Sequence, residues 1–152
     1  MQIVSAVSAT APTAVMKAVR VHRFGGLEAM AYEDVSRPAP GAGQVLVRVT
    51  AAGVGPWDAW VREGKSALPH PLPLTLGSDL SGVVEALGPA VSGFAPGDEV
   101  FGVTNPNFTG AYAQYAVADA AMIAPKPVGL SHVEAASVPV VACTAWQMVF
   151  DH

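Results

Sequence analysis

The segment Gly77–Val100, GSDLSGVVEALGPAVSGFAPGDEV, constrains this chain more than any other. Glycines at 77, 82, 88, 93 and 97 separate apolar stretches of strand length, and acids stand at 79, 85, 98 and 99. Each glycine falls where a strand must begin, bend or turn, because glycine enters left-handed backbone without a Cβ penalty. Asp98 follows Pro96-Gly97 and precedes Val100-Phe101. A carboxylate in that place is expected to fix the turn by bonding nearby backbone.

The flanking sequence has the same grain. Met16–Arg23 alternates, with Ala18, Arg20 and His22 on one face and Lys17, Val19, Val21 and Arg23 on the other, and Phe24-Gly25-Gly26 closes it. Met30–Val35 reads as a second strand and Arg37–Gly41 as a proline-stiffened connector. Gln44–Ala52 is the cleanest strand, with Val45, Val47 and Val49 opposite Leu46, Arg48 and Thr50. Alternation stops at Gly53–Gly64, where Asp58–Arg62 reads as a short helix, and Lys65–Leu76 is a proline-rich loop. Leu80–Leu87, Asp98–Val103 and Ala111–Ala118 are further strands, the last preceded by a turn at Asn105–Gly110. Short strands with Gly/Pro turns up to about residue 124 predict a mainly β fold, a barrel or sandwich. Beyond it, Ser131-His132-Val133-Glu134 fits a capping box, Pro139 interrupts the helix it opens, and Val140–Phe150 forms another.

Composition removes several function classes. The 152 residues suit one domain with a core of its own. Apolar residues make up 51% and charged ones 13%, about half the usual share, which argues against disorder and for a surface partly covered by a partner. A net charge of −4 offers no electrostatic footprint for nucleic acid or an anionic membrane. Cys143 is the sole cysteine, so neither an intrachain disulfide nor a cysteine-rich zinc site is possible. No apolar stretch approaches the roughly 20 residues needed to span a bilayer. Residues 1–15 read as a flexible leader without the basic start of a secretory signal, and the expected location is the cytoplasm.

Six stretches in order resemble one family: Met16-Lys17-Ala18, Gln44–Val49, Ala52–Asp58 with Arg62 and Gly64, Gly77–Val100, Gly110–Tyr115 and Pro125–Asp151. Together they are similar to the GroES-like catalytic domain of the zinc-independent quinone oxidoreductase branch of the medium-chain dehydrogenases/reductases. The implied fold is a mainly β, partly open GroES-like barrel over residues 16–130. Residues 131–152 are then a helical connector toward a Rossmann domain that this sequence does not contain. Zinc-dependent relatives carry a cysteine within the loop that here reads Gly53–Asp58, and a His-Glu pair at Ser78-Asp79. Neither is present, and His22, His70, His132 and His152 show no ligand spacing, so no zinc is expected.

The resemblance implies a nicotinamide nucleotide, NADP(H) more often than NAD(H), and reduction of a quinone or enone-type double bond. It places Gly55, Pro56, Asp58, Trp60, Arg62 and Asp79 at a substrate and cofactor cleft, and Thr144 near the nicotinamide. Gly55 departs from an asparagine usual in relatives and supplies no amide donor. Trp60 replaces a frequent tyrosine, and its indole donates only through N–H. Each residue has a structural alternative: a helix cap for Asp58, core packing for Trp60, a backbone hydrogen bond for Asp79, helix back-bonding for Thr144. Cys143 reads as a small buried hydrophobe. The expected partners are a missing Rossmann half or partner chain and a second copy of the chain. The competing function is a stand-alone GroES-like module that binds small molecules or partners without redox chemistry.

Overall fold

A computed structural model describes residues 14–151. The expected leader lies outside the described residues except for Ala14 and Val15, and His152 lies outside them too. The elements are β1 (Val15–Val21), β2 (Met30–Ser36), β3 (Gln44–Ala52), α1 (Pro56–Arg62), β4 (Leu74–Thr75), β5 (Asp79–Leu87), β6 (Glu99–Val103), β7 (Tyr115–Asp119), β8 (Ile123–Pro125), α2 (His132–Ala136) and α3 (Pro139–Phe150).

Two antiparallel sheets form, ordered β2-β1-β4 and β7-β3-β5-β6-β8. They do not close into one barrel. A single Ala18–Ala113 bridge joins them, reinforced where Val19 N–H donates to Tyr112 O at 2.7 Å and Gln114 N–H to Lys17 O at 3.0 Å. This is the mainly β, partly open GroES-like arrangement.

The expected strand Ala111–Ala118 divides. The ladder with β3 covers only Tyr115–Asp119: Gln114 O still accepts the Val49 N–H at 3.0 Å, but other backbone groups of residues 111–114 bond to Leu76, Gly77, Lys17 and Val19. Alternation on β3 is likewise imperfect. Its ladder with β5 shifts register between Leu46 and Val47 and again between Val49 and Ala51, and Leu46 is buried alongside Val45 and Val47. On β1 the buried residues are Met16, Ala18 and Val21, so neither expected face is buried along its whole length.

The larger core joins Val45, Val47, Leu80, Val84 and Val100 between strands of the five-stranded sheet. A second core gathers Val21, Val61, Leu74 and Leu76 beneath α1, with Tyr112 against it. Asp98 does fix its turn, its Oδ2 accepting the Ala95 N–H at 2.7 Å. The Ser131–Glu134 capping box is present, and His132 ties α2 to the sheet with Nδ1 2.8 Å from Ser81 Oγ.

Pro139 restarts the chain as α3, where a proline at the first helical position gives up an N–H that would have no partner. From Val141 to Phe150 every residue of α3 is exposed. Cys143 is therefore exposed rather than buried, because nothing in the described residues covers α3 beyond its first turn. No helix of the described residues is long and apolar enough to cross a membrane.

Candidate functional site

The site is assembled around α1, and local chemistry explains its start. Gly55 is extended at φ −126° and caps the helix, and Pro56 follows at the first helical position. Asp58 reaches back one turn, its Oδ2 accepting the Gly55 N–H at 2.8 Å. The same oxygen accepts the Tyr112 hydroxyl at 3.0 Å, while Oδ1 is buried and meets no donor. Asp58 thus has the expected capping role and a second one, holding Tyr112 from a distant part of the same chain.

Asp79 opens β5 and is buried. Its Oδ1 accepts the Val140 N–H at 2.8 Å, fastening the first turn of α3 to the sheet. Its Oδ2 accepts the Ser78 hydroxyl at 2.8 Å, and Ser78 Oγ accepts the Trp57 indole N–H at 3.1 Å. A chain of hydrogen bonds therefore runs from α1 through β5 to α3. It brings together Trp57, Ser78 and Asp79, with the Tyr112–Asp58 pair beside it.

Burial pushes the carboxyls of Asp58 and Asp79 above the ordinary aspartate value of 3.8, and the charge of Asp79 raises Asp58 further. Burial, then the neighbouring Asp58, raises the Tyr112 phenol. Each acid keeps its proton in the folded chain at pH where the unfolded chain has lost it. The stability from this source is complete below the ordinary value and is lost as pH rises through the raised one. Asp58→Asn is expected to flatten this decline above the ordinary aspartate value, read as the pH dependence of urea unfolding. An unchanged slope would show that Asp58 titrates normally.

The other expected residues are placed as follows. Trp60 is 56% exposed, so it is not core packing, and it lines a groove of about 440 Å³ with Trp57, Val61, Leu68, Phe108 and Val140. Arg62 is spent on structure, its Nε donating to Gly25 O at 3.2 Å and an Nη to Glu63 at 3.0 Å. Thr144 is exposed on α3. A second cavity of about 90 Å³ lies over Asp79, bounded by Gly53, Val54, Trp57, Ala136, Ser137 and Val141. Sequence reasoning passed over Trp57, Ser78 and Tyr112 as actors. The one local signal was Gly55 two positions before Trp57: a Cβ at residue 55 would collide with the indole ring.

Residues 41–128 match the alcohol dehydrogenase GroES-like domain. The chain belongs to that family. Among curated relatives of this GroES-like domain, the quinone oxidoreductase of Sus scrofa is 41% identical over 134 residues, which span 86% of this chain and 40% of the relative. Among solved structures, the quinone oxidoreductase of Coxiella burnetii superposes with a TM-score of 0.86 at 34% identity, covering 91% of this chain and 45% of its own. A mycobacterial protein complexed with NADPH gives 0.80 at 32% identity, covering 89% and 40%. The chain thus spans about two fifths of the length of the curated relatives it matches.

Proposed function

We propose that this chain is the catalytic-domain portion of a nicotinamide-dependent oxidoreductase that reduces a quinone or enone-type substrate without zinc. The observation that carries this reading is the Trp57–Ser78–Asp79 hydrogen-bond chain, whose Ser78-Asp79 stands where the resemblance implies the His-Glu pair of zinc-dependent relatives. Gly55 has no donor atom, the Ser78 hydroxyl is shared between an indole and a carboxylate, and both Asp79 oxygens are occupied. Such a donor set does not fit a metal that needs three free protein ligands. Among the described residues no group of three or more His, Cys, Asp or Glu side chains could hold one.

The nicotinamide, when bound, supplies a hydride, and one further proton completes reduction of a quinone to the hydroquinone. The phosphorylated nucleotide is favoured, in keeping with the NADPH complex of the mycobacterial relative. For this chemistry the groove beside α1 offers aromatic walls that exclude water and orient a planar ring. Trp60 and Thr144 are the residues of this chain that would border the nucleotide. The exposed apolar side chains around α3, including Val141, Trp146, Met148 and Phe150, support contact with a nucleotide-binding unit. Residues 131–152 are read as the connector to it, and the location as cytoplasmic.

Fusion of this chain to the part of the porcine quinone oxidoreductase that it does not span is expected to oxidise NADPH in the presence of a quinone, while the chain alone does not. A folded fusion that binds NADPH without turnover would sink the proposal and favour a binding module.

A further inference from the structure

We propose that Trp57 is a specificity-determining wall: its indole divides the cleft and sets how deep a fused-ring substrate can enter. The inference rests on the reading of the groove as a quinone or enone site.

Two spaces meet at this side chain and share no other residue. On one side is the apolar groove of about 440 Å³, a volume within the usual range for a small-molecule site. On the other is the cavity of about 90 Å³ over Asp79, far below that range. The indole is held in two ways. Its N–H donates to Ser78 Oγ at 3.1 Å, and Ser78 is itself held by Asp79 at 2.8 Å. Its six-membered ring occupies the space that any side chain at residue 55 would need. Gly55 and Trp57 are therefore complementary: the missing side chain at 55 admits the wall.

The groove's own chemistry favours an uncharged ring. Trp57, Trp60, Leu68 and Phe108 provide flat or apolar surface. Lys65 Nζ is paired with Glu63 at 2.7 Å, and His70 Nε2 lies 3.0 Å from Ser66 Oγ while burial lowers its pKa. A one-ring substrate fits in front of the wall. An elongated one is stopped by it, because the space behind belongs to the second cavity.

The test compares binding of duroquinone (one ring) and 9,10-phenanthrenequinone (three rings) to the 152-residue chain by NMR titration. Cys143 is replaced by Ser in every chain compared, because an exposed thiol adds to a quinone carbonyl or reduces the quinone. Trp57→Ala is expected to raise the three-ring to one-ring affinity ratio by about tenfold, the scale on which apolar pocket size discriminates. Trp57→Phe, which keeps one aromatic ring but loses the outer ring together with the N–H, is expected to give a ratio between those of the parent and Trp57→Ala. Should Trp57→Ala not fold, Trp57→Leu vacates the outer ring and is read by the same ratio. Binding of both quinones with an unchanged ratio in the small variants overturns the wall alone. A parent chain that binds neither quinone overturns both the wall and the quinone reading.

Discussion

Asp79→Ala is expected to lower the unfolding free energy by about 1–3 kcal/mol and to loosen the first turn of α3. The carboxylate accepts the Val140 N–H and the Ser78 hydroxyl, so alanine leaves two donors without their acceptor. The same change removes a buried, proton-favouring acid, which offsets part of the loss. Asp79→Asn separates the two effects, since its amide oxygen still accepts one of these bonds. Hydrogen exchange is the decisive measurement: the Val140 amide should lose protection in Asp79→Ala while amides in the centre of β3 keep theirs. Equal loss at both places would mean that Asp79 supports the whole sheet rather than the α3 junction.

The second large effect is expected at Gly82. This residue pairs with Val49 at the point where the β3–β5 register shifts. A Cβ there would lie 2.9 Å from Val47 Cγ1 and 3.0 Å from the Arg48 carbonyl carbon, and would strike the Arg48 carbonyl oxygen. Backbone cannot swing aside as a flexible side chain can, so Gly82→Val is expected to cost about 3 kcal/mol or more. In a chain of this size that corresponds to a fall in Tm of about 10 °C, measurable by thermal unfolding. A valine variant that melts with the parent would show that the strands can part locally without loss.

Much of the fold was legible because strand signals here are local. The bounds of β3 follow from its alternation and flanking polar and glycine residues, and the start of α2 from four consecutive residues. Residues 111–114 alternate like a strand, whereas, apart from the Val49–Gln114 bond to β3, their backbone partners on other elements lie on two separate segments. The site was legible only in outline. Asp58, Trp60 and Asp79 could be named, but Trp57 meets Ser78 across 21 positions, and Asp79 meets Val140 across 61. No periodicity records such pairings. Arg62 shows the converse: a charged side chain beside a cleft sequence turned out to brace the Gly25 turn.

The Asp79 link also gives the molecule a mechanical polarity. β5 is the middle strand of five, held on both sides, and it is the strand to which α3 is tethered. A pull along α3 is therefore delivered to a strand paired on both sides rather than to the edge strands β7 or β8. To peel the helix away under tension is to load the start of two ladders at once, so whatever unit engages α3 grips the domain by an interior strand and not by an edge.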